Sequence, residues 1–194
     1  LYYADGFVYG GTTQGTGTVF FCMSAADGSI VWEVPWEKNP NTGGDSWSTS
    51  GHYWAGANVI GDYCVFGSES GVLRSVNKLT GETVDVYNTP EGNDIRSSVA
   101  YAGGDLYFTV KQGGLLYKVD FDESNGQLGS ATSAKIDPSA TETISTPVVH
   151  DGRVYVSAST STPTRAVVGV LDANDLSHIY SVPLAADVGN ATKG

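Results

Sequence analysis

The side chains that could do chemistry are few and widely separated. His52, His150 and His178 lie far apart, and none has a second His or a Cys at metal-ligand spacing. His150 adjoins Asp151 at a turn and His178 sits in a strand-like run, so all three read as ordinary surface or turn histidines. The acidic run Asp120-Phe121-Asp122-Glu123-Ser124-Asn125-Gly126 has the flavour of a calcium loop. An EF-hand loop needs Gly at its sixth position and Glu at its twelfth. Those places hold Asn125 and Ala131, so the run reads as a solvated turn. The Gly-rich stretch from Gly10 to Gly17 lacks the Gly-Lys-Ser/Thr ending of a phosphate loop and reads as a hairpin loop. No G-x-S-x-G elbow occurs. Cys22 and Cys64 fit no CxxC site; each is read as a small buried hydrophobe, with a single disulfide as the other reading.

The elements that must carry these residues are legible in the composition. The chain has 194 residues, a formal net charge of −11 and a pI near 4.4. That balance points away from nucleic acid as a partner, whose phosphates need clustered Lys and Arg, and from docking on anionic membranes. No apolar run is long enough to form a membrane-spanning helix. Gly (25 residues), Tyr, Val, Ser and Thr dominate, Met occurs once and Lys+Arg total 10. This is the composition of short strands joined by tight turns, with almost no helix.

The strands repeat. Asp5 to Gly11, Gly61 to Ser68, Gly103 to Phe108 and Asp151 to Val156 each run from a Gly/Asp turn into a β-branched and aromatic strand. Their aromatic anchors, Tyr9, Phe66, Tyr107 and Tyr155, are 57, 41 and 48 residues apart. A second strand and turn follow each: Cys22 to Gly28, Ser75 to Gly81, Lys118 to Gly126 and Val170 to Asp175. A third strand leaves the turn, and a further strand precedes each unit, so a unit holds four antiparallel strands. A β-sandwich or another β-solenoid fits this period less well than a propeller blade does.

The unit resembles the PQQ-like β-propeller repeat of the WD40/YVTN-like superfamily, in which a D-G-x-V-Y-V-G strand is followed by L-D-A-x-T-G-x-x-x-W. Asp5 to Gly10, Asp151 to Val156, and Gly28 followed by Trp32 carry the resemblance, which covers nearly the whole chain. Tyr53 to Ala57, Val65 to Ser68 and Ile95 to Val99 resemble propeller regions of secreted or cell-surface proteins of Gram-positive gut-type bacteria. The resemblance implies an all-β fold with four PQQ-like blades, at about 1–36, 53–90, 95–137 and 143–184. It implies part of a seven- or eight-bladed ring, an exported protein at the cell surface or outside the cell, and blade faces that associate with missing blades or a second copy. The Trp position holds Trp32, Asp85, Ser130 and Tyr180, which points away from a bound quinone, so no cofactor is expected; the histidine spacing and the calcium-loop mismatch give no metal either.

In such a propeller the segment before each innermost strand emerges beside the axis. The expected ligand-binding set at the channel mouth is therefore Tyr53, Trp54, Arg96, Ser97, Ser98, Ser145 and Thr146. Aromatic faces beside hydroxyls and an Arg suit a protein segment, a sugar or another small molecule. The competing reading packs Trp54 between blades and pairs Arg96 with Asp94. A long loop joins the first two blades, and its Trp36 and Trp47 are the expected interaction loop, or else cap the blade edge. The functional expectation is a non-catalytic binding module. The alternatives are a fragment of a quinone-dependent dehydrogenase, or an assembly adaptor that binds partner peptides along propeller edges.

Overall fold

The computed structural model describes residues 1–13, 17–41, 51–52, 56–161 and 163–184. Among them there is no helix, and seventeen strands form four antiparallel sheets. Blade 1 is β1 (Tyr2–Ala4), β2 (Phe7–Gly11), β3 (Val19–Ser24) and β4 (Ile30–Pro35). Blade 2 is β5 (Asn58–Ile60), β6 (Tyr63–Gly67), β7 (Val72–Asn77) and β8 (Thr83–Asn88). Blade 3 is β9 (Ala100–Ala102), β10 (Asp105–Val110), β11 (Leu115–Asp122) and β12 (Gln127–Lys135). Blade 4 contains β14 (Val148–His150), β15 (Arg153–Ser161), β16 (Thr164–Asp172) and β17 (His178–Pro183), with β13 (Ala140–Glu142) as an added strand on β15. The chain is an all-β assembly of propeller-type blades.

The blades meet along three seams, and strand alternation decides who faces whom. Tyr9, Phe20, Cys22 and Trp32 of blade 1 pack on Cys64, Phe66 and Val76 of blade 2. Val65 and Leu73 point the other way, onto Leu106, Phe108, Val110 and Tyr117 of blade 3. Tyr107 and Leu116 then face Val154, Val156, Val167 and Leu171 of blade 4. Both cysteines are free and buried in the first seam's core. The ladders pair Tyr9 with Tyr2, Val65 with Asn58, Tyr107 with Ala100 and Tyr155 with Val148. The true counterpart of Tyr9 in blade 2 is therefore Val65, one residue before the expected anchor Phe66, which faces the opposite seam.

Each seam is clipped where an upstream blade reaches the outer-hairpin turn of the next. Trp32 Nε1 donates to the Lys78 carbonyl at 2.9 Å, and the indole lies against Gly81. Gly81 has φ +74°, and an added Cβ there would come within 2.7 Å of the indole. In the second seam Asp85 accepts the Leu128 N–H at 2.9 Å while Tyr63 lies against Gly126. In the third, the Tyr107 hydroxyl donates to the Ala173 carbonyl at 2.9 Å and Lys118 Nζ to that of Asn174. All four outer hairpins carry a bulge at a similar depth. In blade 3 the register places Thr132, not the expected Ser130, opposite Lys118 in the Trp slot.

Among the described residues, one face of blade 1 and one of blade 4 have no blade against them. The cross-strand row Tyr3, Val8, Met23 and Ile30 lies on the first, with Tyr3 66% exposed. The row Val148, Tyr155, Val170 and Tyr180 lies on the second, with Val148 60% exposed. The seams carry the packing energy, so a seam truncation should be costly. Phe66 stacks on Phe20 with centroids 3.8 Å apart. Phe66→Ala should lower unfolding stability by about 3–5 kcal/mol in a denaturant titration, whereas Tyr3→Ala should change it by about 1 kcal/mol or less.

Candidate functional site

Each blade has a lower edge, formed by the tight turn between its first two strands and the turn of its outer hairpin, and an upper edge. The upper edge holds the β2–β3 loop, the β6–β7 and β10–β11 turns, and the connectors between blades. The connectors are stapled in a repeated way. The N–H groups of His52, Ile95 and Thr143 donate to the carbonyls of Thr12, Ser68 and Lys111 in the preceding blade. The carbonyls of Gly51 and Asp94 accept from Glu69 and Lys111 in the connector's own blade. β13 is the third connector, and its Glu142 pairs with Ser159 in the same sense. These bonds satisfy backbone that would otherwise be buried unpaired.

Of the residues expected at the channel mouth, five lie within the described residues, and Tyr53 and Trp54 lie outside them. The structure brings Ser98 and Thr146 together: the Ser98 N–H donates to Thr146 Oγ1 at 3.0 Å, joining the segments that enter blades 3 and 4. Ser97 is buried, accepts the Thr109 N–H at 2.9 Å and donates back to the Thr109 carbonyl. Thr109 Oγ1 donates onward to the Ser145 carbonyl at 3.0 Å, and Ser145 Oγ accepts the Ser157 N–H. The same serine therefore ties the connector to the second strand in both blades, twelve residues ahead of its partner in each.

Arg96 stands beside these hydroxyls. Its guanidinium contacts Glu69 Oε1 at 2.8 Å and Asp94 Oδ2 at 3.0 Å, and it is partly open to solvent. Gln112 bridges to Asp94 through its side-chain amide, and Lys111 lies 3.6 Å from Glu142. Burial pushes the Glu69 carboxyl above its ordinary range, and the Arg96 charge pulls it back. The pairing of Arg96 with Asp94 was readable in the sequence; Glu69, Lys111, Gln112 and Glu142 were not. The one available signal was that these charges interrupt Gly- and Ser-rich turns of a chain with few charges. Among the described residues no group of three or more His, Cys, Asp or Glu could hold a metal ion. The cluster is a hydrogen-bonding surface of alternating charge.

The start of the long loop lies against blade 2. Glu37 pairs with Arg74 at 2.6 Å, its carbonyl accepts from Ser70, and Asn39 and Asn41 reach the carbonyls of Thr89 and Asn88. Half-buried Trp36 stands just before these contacts, its backbone N–H donating to the Thr18 carbonyl of blade 1. Trp47 lies outside the described residues.

His52 corrects the surface reading of the histidines. It is buried edge-on against the stacked rings of Phe20 and Phe66, with centroids 5.6 and 5.4 Å away. Its Nδ1 lies 3.0 Å from the Gly67 carbonyl, which can only accept, so Nδ1 carries the proton.

A protein-family model described as outer membrane protein assembly factor BamB (PQQ_2) matches residues 1–166. No curated protein sequence matches the chain. Solved structures share the fold. The Dos1 propeller superposes with a TM-score of 0.65 at 17% identity, over 91% of this chain and 46% of that one. BamB from Moraxella catarrhalis gives 0.55 at 15%, over 92% and 51%. The quinohemoprotein alcohol dehydrogenase ADHIIG from Pseudomonas putida HK5 gives 0.60 at 11%, over 92% and 33%. The chain thus spans about half the length of the first two and a third of the last.

Burial depresses the His52 imidazole to about 4 from its usual 6.5. The unfolded chain therefore binds a proton between these values that the folded chain refuses. Stability should be level above pH 6.5, fall as the pH drops toward 4, and lose up to about 3 kcal/mol through this one group. Urea midpoints across that range should show the slope, and His52→Phe should flatten it.

Proposed function

We propose, for a chain that belongs to the PQQ_2 family of BamB-like propeller repeats, a non-catalytic binding role exercised at the upper edge of the blades. The carrying observation is the Arg96 guanidinium, held between Glu69 and Asp94 beside the Ser98–Thr146 bridge. A fixed Arg, amide and hydroxyl cluster recognises carbonyl- and hydroxyl-rich partners, such as a protein segment or a carbohydrate. On this reading residues 1–194 act as one propeller region. Tyr53 and Trp54 supply aromatic contact area at the channel mouth, and Trp36 and Trp47 form an interaction loop. The resemblance of Tyr53 to Ala57 and Ile95 to Val99 supports placement on an exported bacterial protein of Gram-positive gut type, outside the cell or on its surface.

The dehydrogenase alternative has less support. Of the four residues in the Trp slot, Trp32, Asp85, Thr132 and Tyr180, only the first matches the motif, and its indole is engaged in the first seam. The adaptor alternative is supported by the family match, and differs in predicting affinity for protein segments alone. The uncovered faces of blades 1 and 4 belong to the same reading. Their apolar rows repeat those buried in the seams, and blades of the same kind, from this polypeptide or a second copy, would cover them.

Peptide and glycan arrays probed with the chain, with Arg96→Gln and with the lower-edge variant Asp151→Ser test the proposal. Binding to one ligand class should fall about tenfold in Arg96→Gln and persist in Asp151→Ser, with far-UV circular dichroism unchanged in both. Equal binding by Arg96→Gln, or loss in Asp151→Ser alone, would sink it. Light scattering on the same samples reads whether a second copy covers the open faces.

A further inference from the structure

The outer hairpin of blade 3 departs from the repeat. Ala25, Lys78, Phe121 and Ala173 occupy the same place, each donating its N–H to the carbonyl of the tight turn between the first two strands. In blades 1, 2 and 4 the chain turns back at once, at Ser24–Ser29, Asn77–Glu82 and Asp172–Ser177. In blade 3 it continues as strand to Asp122 before turning. β12 is nine residues long, whereas β4, β8 and β17 have six each.

The extension has two consequences. The first is an open edge. Native edge strands are protected by shortness, charge or Pro. β4 carries Glu33 and Pro35, β8 carries Asp85, and β17 ends on Pro183. From Gly129 to Ala134, β12 reads Gly-Ser-Ala-Thr-Ser-Ala, and Gly129 to Ser133 are all exposed. The Ile136 N–H donates toward β11, to the Gly114 carbonyl. By strand parity the N–H groups of Ala131, Ser133 and Lys135 point away from β11, off the sheet. The second is a cavity of about 920 Å³ at the other end of the strand, lined by Tyr101, Asp105, Asp120, Phe121, Glu123 and Leu128 among others. Among the described residues no Lys or Arg lines it. Asp105 is paired with Lys118, whereas Asp120, Asp122 and Glu123 form no ion pair among the described residues. The bulge opposite Asp120 bends the strand where edge and cavity meet.

We propose that the β12 edge takes up an extended basic peptide as a fifth, antiparallel strand of blade 3. Its main chain pairs with Ala131 to Lys135, and Lys or Arg side chains at its C-terminal end seat between the acidic wall and the rings of Tyr101 and Phe121. The charge of the cavity selects this occupant over an acidic or neutral strand. The surface is distinct from the Arg96 cluster and does not depend on it.

The probe is a fluorescein-labelled, amidated peptide of alternating Thr and Val ending in a Lys block, compared with its Glu-ended twin. The Lys peptide should bind at least about tenfold more tightly, and added salt should erode the difference. Amide hydrogen exchange should slow at Ala131, Ser133 and Lys135 on binding. Ser133→Pro removes an outward N–H and spares the ladder, and should weaken binding about tenfold. Ser133→Lys, an exposed change with no backbone effect, should also weaken it. Asp120→Asn with Asp122→Asn should abolish the preference for Lys over Glu. Equal affinity for the two peptides, or slowed exchange confined to β17 or the upper edge, would overturn the proposal. So would protection of Ala131 to Lys135 without peptide together with a doubled mass, because the edge would then be paired with a second copy.

Discussion

A four-stranded blade presents two faces and cannot bury either by itself. The whole structure follows from that constraint. Successive residues of one strand serve different seams, so Phe66 and Val65 belong to different cores although they are adjacent in sequence. The fold is a row of nearest-neighbour contacts, each seam contributing its own apolar core. Directional bonds are added where the apolar layer ends. Trp32, Asp85 and Tyr107 all reach the outer-hairpin turn of the next blade, by chemically different means. A Trp at that position is one solution among several, which is why a repeat can lose its motif residue and keep its seam.

The architecture was legible because turns and strands announce themselves locally. Asp5-Gly6 and Asp151-Gly152 are tight turns with positive φ at both residues, as their sequence demands. Register was less legible. Cys64, Val65 and Phe66 are all apolar because blade 2 is buried on both faces, so the period-two signal that would identify the anchor is absent. The Ser130 assignment slipped to Thr132 because the blade 3 hairpin runs one pleat further, an insertion that leaves composition unchanged.

The candidate site was half legible for a related reason. The hydroxyls at 97, 98, 145 and 146 stood out as repeats, yet Ser97 and Ser145 tie backbone within their own blades and Thr146 takes the Ser98 N–H across a blade boundary. Glu69 and Glu142 were hidden because charge neighbours separated by a blade have no spacing rule. His52 reads as a loop residue, but its ring packs edge-on against a stacked pair of Phe rings, one from each flanking blade. Burial there is a property of the partner blade, which no local pattern encodes.

The connector staples run in one direction. His52, Ile95 and Thr143 each donate backward, to a blade already laid down, while their own blades are still incomplete. A chain emerging from the ribosome therefore cannot finish the upper edge of one blade until the first residues of the next appear. Each blade waits for its successor, then is locked by it. The upper edge of a blade is thus shared property, completed by residues that belong to its successor.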